Sequence, residues 1–564
     1  MSAKAVTSAV SALEEALHRW REPGGPFSPK ELARLDTAEA FPAAACQALD
    51  EAGLTAYYVP ARHGGKLTGF PQVVAMIRAV ARHDLTVAIA HGKTFLGAVS
   101  VWVAGTPDVA EWLGRHIAGG AAVCWGLTER GHGSDILAGE LTAERVADGW
   151  RLDGEKWLIN NATRGRLACV LARTSPEGGP RGFSLFVVDK REAVAGEVRH
   201  LAKVKTLGIR GADISGLSLQ GVVVPPTAVV GEPGQGAEIV LKALQLTRTS
   251  CAALSLGAGD HAIALAVRFL RERRLYGRSL AEMPLVRDEL GRATARLLLA
   301  EAVTAVATRA IHVLPHEMSL LSAVCKAFVP TIVEEAIGQI RELLGARGYL
   351  TGVFAHGEFA KLERDHRIVA IFDGTTLVNR QMLISQFRRL GRGYGAVDVL
   401  AADRLGALVA GPVPDFRRDH LMLMSPSGCA LVLGVPGLLH RVRELGLGSP
   451  AFGAVLDAFE AACADVHAAL AAHRAGPGMP DADVFLLAER YEWCVAGAAC
   501  LLVLSHFHDS RSRALTRVCL ELVVERLVVD WHASDEVFAA LATHALEGGG
   551  AATLFPRDQE KTPW

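Results

Sequence analysis

From about residue 5 to 120 the apolar positions recur three and four residues apart, as in "VTSAVSALEEALHRW" and "PQVVAMIRAVARHDLTVAIAHGKTFLGAVSVWVA". This spacing predicts helices, broken by the turn "VPARHGGKLTGFP". Between about 121 and 230 the texture changes to short β-branched and aromatic runs such as "AAVCWGLTE", "LACVLART", "GFSLFVVD" and "LSLQGVVVP". Gly and Asp turns separate these runs about every 8 to 12 residues, the pattern of an antiparallel sandwich or barrel. Helical spacing returns at "GAEIVLKALQLTRTSCAALSLGAGDHAIALAVRFLRERRLYG" and lasts to about 394, where "RRLGRGYGAVD" marks a boundary. The remainder is helical again, and no repeat of 20 to 50 residues recurs along the chain. The expected organisation is an N-terminal helical domain (1–120), a β domain (121–230), a helical bundle (231–395) and an extra C-terminal helical domain (396–564).

A chain of 564 residues exceeds one ordinary core and can enclose a sizeable active site. Lys and Arg number 59 against 60 Asp and Glu, so there is no basic field and no nucleic-acid partner is expected. The ten cysteines stand singly, without CxxC pairs, which predicts reduced, buried thiols in a cytoplasmic protein. Glu14 and Glu15 interrupt the first apolar pattern, so it does not read as a secretory signal. No run of about 18 apolar residues is present, so a membrane span is not expected, and membrane contact is not expected either.

Several stretches carry chemistry in one reading and plain structure in another. "CWGLTERGHGSD" (124–135) leaves an apolar strand and enters a Gly-rich loop with Thr128 and Ser134. Such a loop lets N–H groups and hydroxyls approach a ring or a phosphate, although it lacks the lysine of a P-loop and the Rossmann spacing. In "GEKWLINNATRG" (154–165), Trp157 and Asn160 either cover an aromatic cofactor or serve the core. Arg271, Arg273, Arg274 and Arg278 crowd a helix end beside Tyr276, where a diphosphate would use them and a solvated helix terminus would not need one. His356 and His366 read as turn or surface histidines, and His506 and His508 as a solvated helix, so no metal site is expected. In "RIVAIFDGTTLVNRQMLI", Asp373 between Phe372 and Gly374 is either a solvated turn carboxylate or a proton acceptor.

Taken together and in order, "VPARHGG", "TERGHGSD", "GEKWLIN", "KVKTLGIRGADISGLSLQGVVVP", "RRLYGRSL", "LLGARGY" and "RDHRIVAIFDGTT" resemble the acyl-CoA dehydrogenase family of flavoproteins. The resemblance runs from about residue 30 to 390. It implies the fold of that family: an N-terminal helical domain, an antiparallel β-barrel or sandwich and a C-terminal helical bundle, here with a further helical domain as in the very-long-chain branch. It implies bound FAD, lined by Trp125, Leu127, Thr128, Gly133 and Ser134, covered by Trp157, Ile159 and Asn160, with Thr375 against the ring. The family's covering tryptophan is Leu158 here, with Trp157 one place earlier. Arg273, Tyr276, Glu342, Gly345 and Ala346 match positions that reach FAD held by a neighbouring subunit. Pro284 and Glu342 stand where the family carries Gln.

The resemblance also gives Asp373 a role. Family members usually carry Glu in this turn, and it removes the α-proton of an acyl thioester while hydride passes from Cβ to flavin N5. In some members an alternative base lies immediately before an arginine, here Thr247 before Arg248, which leaves Asp373 as the one carboxylate at a known base position. Such a base needs a partly desolvated carboxylate near the substrate Cα. Gly374 would offer its N–H to the thioester carbonyl, and Ser134, Gln245 and Arg248 would contact substrate. The expected activity is α,β-dehydrogenation of an acyl-CoA or an acyl-carrier-protein thioester by a homodimer, with an electron-transferring flavoprotein as oxidant. An oxygen-using oxidase or monooxygenase on the same fold, and a silent subunit that binds without turnover, are the alternatives.

Overall fold

The computed structural model describes residues 3–394, 405–446, 450–474, 476, 478–533, 535–550 and 552–555. The chain forms two compact units, Leu13–Thr247 and Arg248–Trp564 together with Met1–Ala12. The boundary expected near 395 falls outside the described residues.

Helix α1 (Ala3–Trp20) passes from one unit to the other at Ala12–Leu13, and the first unit continues with α2 (Pro29–Thr37), α3 (Ala43–Glu51), α4 (Phe70–His83), α5 (Leu85–Ala104) and α6 (Pro107–Ala118). Asp84 accepts the Val87 N–H and so starts α5 directly after α4, while Thr106 caps α6 the same way. Strands β1 (Val123–Gly126), β2 (Thr142–Val146), β3 (Gly149–Asn160), β4 (Leu167–Arg173), β5 (Phe183–Asp189), β6 (Val198–Leu201) and β7 (Ile214–Val224) form one sheet in the order β1-β4-β2-β3-β7-β6, with β5 on β4. Four pairings are antiparallel, as the alternating texture predicts. β1 and β2 instead run parallel to β4, a relation between strands distant in sequence that local alternation does not encode. Leu152, Val170, Phe186 and Leu217 fill the sheet's apolar core.

Helix α7 (Gly236–Glu272) passes from one unit into the next at Thr247–Arg248. The second unit continues with α8 (Pro284–Val313), α9 (Met318–Leu344), α10 (Glu358–His366), α11 (Thr376–Ile384), α12 (Val435–Glu444), α13 (Pro450–Ala472), α14 (Ala482–His506), α15 (Ser510–Leu527) and α16 (Asp535–Glu547). Between α7 and α8, Tyr276 and Gly277 both take positive φ and close a two-residue hairpin.

The C-terminal helices are built onto α8 and α9. Arg292 joins Asp288 and Glu525 at 2.9 Å each, and its guanidinium lies over the Phe538 ring. Arg309 donates to the carbonyls of Ala407, Ala410 and Gly411. A side chain at Gly291 would collide with the Phe538 carbonyl, so α16 crosses α8 at backbone distance only because Gly291 lacks one.

All ten cysteines are buried thiols outside any disulfide, as their single spacing predicts. Two helices, Leu85–Ala104 and Gly236–Glu272, do reach the length and mean hydropathy of a membrane span, contrary to the apolar-run count. Of those windows 89% and 94% are buried inside the protein. A run count misses them because their few polar residues are scattered and face packed neighbours.

Candidate active site

In the second unit, the segment 369–376 is tied down from three helices. Arg248 of α7 is 3% exposed and donates its Nε–H to the Asp373 carbonyl at 2.9 Å. Lys326 of α9, fully buried, donates its ammonium to the Val369 carbonyl at 2.7 Å and the Gly374 carbonyl at 3.1 Å. Asn379 of α11 donates its amide to the carbonyls of Gly374 and Thr375 at 3.0 and 2.9 Å. Thr375 then caps α11 by accepting the Val378 N–H.

The turn itself is conformationally special. Asp373 has φ of +55° and Gly374 of +102°. A Cβ on Gly374 would meet Arg248 Nη2 at 3.1 Å and Asn379 Nδ2 at 3.3 Å. An Asp in the left-handed region costs on the order of 1 kcal/mol and persists only where surroundings enforce it, which the three donors do. The Gly374 N–H makes no hydrogen bond among the described residues.

The Asp373 carboxylate is half-buried, and Cys251 points its thiol at Oδ2 from 3.9 Å. Its surroundings are more cationic than a purely apolar pocket. Burial pushes the Lys326 ammonium down to about 8, although the charge of Asp373 opposes this. Burial likewise brings the Arg248 guanidinium down to about 10, again against Asp373. Both groups interact electrostatically with this carboxylate.

In the first unit, the 127–135 loop and the end of β3 are locked together. Thr128 donates its hydroxyl to the Trp157 carbonyl at 2.7 Å, and the Trp157 N–H returns to the Thr128 carbonyl at 3.0 Å. Beneath them lies a buried ion pair: Lys156 Nζ to Glu129 Oε1 at 2.7 Å. Glu129 also accepts the N–H groups of Glu140 and Leu141. Burial alone would raise its carboxyl, but Lys156 and these N–H groups hold it below the usual range.

The sequence-derived cofactor residues divide by exposure. Trp125 is buried and its indole N–H has no acceptor among the described residues, while Leu127, Thr128 and Trp157 are half-buried. Gly133 and Ser134 are exposed, and space surrounds Gly131 and Gly133. Leu158 sits in a β-bulge with φ of +58° and 45% exposure. Asn160 does not face outward as a ring-binding group. It is buried, its amide donating to the Ile89 carbonyl and its Oδ1 without a partner. Ile159 is buried beside it. An orphaned indole N–H, an open Gly-rich loop and an exposed apolar bulge fit an extended aromatic cofactor.

Gln245 is buried near the end of the first unit. Arg273 and Tyr276 are exposed on the hairpin arm, and Glu342, Gly345 and Ala346 lie exposed at the end of α9. One expectation needs correction. His366 is no surface residue: it is 1% exposed, with Nδ1 at Glu334 and Nε2 at Ser255 Oγ, 3.0 Å away, because α10 packs inward. A trio of possible metal ligands does come together, Glu14, His18 and His83. Arg82 already occupies Glu14 at 2.7 Å, which disfavours a cation there.

Sequence reasoning missed Lys326, Cys251, Asn379 and the Glu129–Lys156 pair. Lys326 left a signal, as the single charge between Glu317 and Glu334 in an apolar helix. A lone charge in such a run is buried and paired or it is not tolerated.

Three family descriptions match the chain in order: "Acyl-CoA dehydrogenase, N-terminal domain" over residues 27–120, "middle domain" over 124–222 and "C-terminal domain" over 234–387. The chain is 27% identical over 355 residues to the probable acyl-CoA dehydrogenase FadE25 of Mycobacterium tuberculosis, covering 62% of this chain and 89% of that one. It is 27% identical over 378 residues to the mitochondrial short-chain specific acyl-CoA dehydrogenase of Homo sapiens, covering 64% and 88%. Among solved structures, a Bacillus anthracis acyl-CoA dehydrogenase complexed with FAD covers 97% of this chain and 95% of its own, with a TM-score of 0.71 at 18% identity. The prolyl acyl carrier protein oxidase AnaB covers 68% and 98%, with a TM-score of 0.61 at 21% identity. These likenesses show the fold, and the first extends through the C-terminal helices. The chain belongs to the acyl-CoA dehydrogenase family, FAD-dependent oxidoreductases that act on the CH–CH bond of acyl-CoA.

Proposed function

We propose that this protein introduces a double bond between the α and β carbons of an acyl thioester, with Asp373 as the base. The observation that carries the reading is the enforced turn at Asp373–Gly374, where buried side chains from three helices hold a half-buried carboxylate at positive φ. Strain of this kind concentrates at functional sites.

Asp373 takes the α-proton onto a carboxylate oxygen, and Arg248 and Lys326 hold the turn that carries it through the carbonyls of Asp373, Val369 and Gly374. As negative charge moves toward the thioester oxygen, the uncommitted Gly374 N–H stabilises it. FAD, when bound, supplies the hydride acceptor. Trp125, Leu127, Thr128, Gly133, Ser134, Trp157 and Ile159 would hold it, with Thr375 beside the ring and Asn160 fixing the strand end behind. Ser134, Gln245 and Arg248 would meet the substrate. Arg273 and Tyr276 on the exposed arm, with Glu342, Gly345 and Ala346, would reach the cofactor of a second copy in a homodimer. An electron-transferring flavoprotein serves as oxidant.

Anaerobic stopped-flow mixing of the FAD-loaded protein with saturated acyl-CoA thioesters tests this. Bleaching in the parent and none in Asp373→Asn supports it. A parent that binds every thioester without bleaching sinks it. Fast reoxidation in air after slow bleaching moves the oxidase reading ahead.

A further inference from the structure

The turn that carries Asp373 opens α11, and α11 is gripped from the C-terminal helices. Arg380 of α11 sets its Nε–H on Glu492 Oε1 at 2.9 Å and an Nη2–H on Oε2 at 3.1 Å, a fork-on-fork pair. Its Nη1 reaches Glu489 at 2.9 Å. Both acids lie on α14. Glu492 is 1% exposed, deep in the packing of that helix. The next residue, Trp493, meets Phe328 of α9 edge-on, with ring centroids 5.0 Å apart. Phe328 stands two residues from Lys326, whose ammonium holds the carbonyls of Val369 and Gly374. One short stretch of α14 therefore presses on two of the three helices that clamp the turn, α9 and α11.

We infer that Glu492 is a positioning residue for the Asp373 base, so that the C-terminal extension sets the geometry of the turn through Arg380. The inference rests on the reading of Asp373 as base. A buried ion pair adds little net stability over an apolar substitute of equal size. What a bidentate guanidinium–carboxylate pair does supply is orientation, since two parallel hydrogen bonds fix both distance and plane. Here they fix how α11 leaves the turn, seven residues after Asp373. A carboxylate displaced by about 1 Å loses about 100-fold in rate.

The experiment compares the full-length FAD-loaded parent with Glu492→Gln. Two readouts are taken: amide hydrogen exchange across residues 372–378, and flavin reduction by a thioester that bleaches the parent. The variant is expected to exchange about tenfold faster in that segment. Its reduction rate falls about 100-fold, while thioester binding, read from the flavin spectral shift, stays near the parent's. Unchanged exchange overturns the inference, and so does faster exchange with an unchanged reduction rate. A variant that loses binding and rate together, as general loosening would produce, overturns it too. Should Glu492→Gln fail to fold, Glu492→Asp keeps the charge but shortens the reach, and the same readouts decide. If no thioester bleaches the parent, the dehydrogenase reading fails on its own, and the exchange data still decide whether Glu492 holds the turn.

Discussion

Arg248, the neighbour of Thr247 at the family's alternative base position, donates its Nε–H to the backbone carbonyl of Asp373 and so holds the turn of the proposed base. Lysine there keeps a charge but loses the planar fork that reaches both Asp373 and the Met382 sulfur. Arg248→Lys is expected to lower the flavin reduction rate by about 10- to 100-fold. Stopped-flow bleaching at saturating thioester checks it, and a rate equal to the parent's removes Arg248 from the site.

Gly374 is needed for its conformation and for its missing side chain. Alanine would meet φ of +102° together with Arg248 and Asn379 nitrogens at 3.1 and 3.3 Å. Gly374→Ala is expected to destabilise the protein by about 1 to 3 kcal/mol. It should also slow reduction about 100-fold by moving the neighbouring carboxylate. Thermal melts and single-turnover bleaching read the two effects separately.

Lys156→Met leaves the Glu129 carboxylate buried with only N–H partners, where the parent has an ion pair at 2.7 Å. Breaking one side of a buried pair costs about 3 to 5 kcal/mol. Since Glu129 anchors the 127–135 loop, FAD content should fall with it. The ratio of flavin to protein absorbance in the purified variant gives the answer, and full FAD occupancy counts against the loop's assigned role.

Glu317 sits buried at the start of α9, accepting the Ala430 N–H at 3.0 Å, and burial pushes its carboxyl up to about 7. The unfolded chain releases this proton near the ordinary carboxylate pKa, the folded chain only near 7. Between those values the folded state binds more protons, so this group's contribution to stability falls as pH rises. Buried His312, brought down to about 4, acts in the opposite sense over an overlapping range. The informative quantity is therefore the difference between Glu317→Gln and parent. The variant's melting temperature should gain on the parent's from pH 5 to 7, and a difference flat with pH contradicts the assignment.

Much of this protein was written in local sequence. Period-3.6 and period-2 patterning marked the helical and β segments, because burial of one face imposes that spacing on any chain that folds this way. The ordered motifs from "VPARHGG" to "IFDGTT" pointed to the family that the comparisons confirm, and "FDG" marked the turn. Tertiary structure decided what faces that turn. Lys326 is 43 residues from Val369, Arg248 is 125 from Asp373 and Glu492 is 112 from Arg380, and no local pattern encodes such pairings. It also decided that Asn160 and His366 turn inward and that β1 and β2 run parallel to β4. The physical reason is the same throughout: periodicity states which face of an element is buried, and only the packed fold states against what.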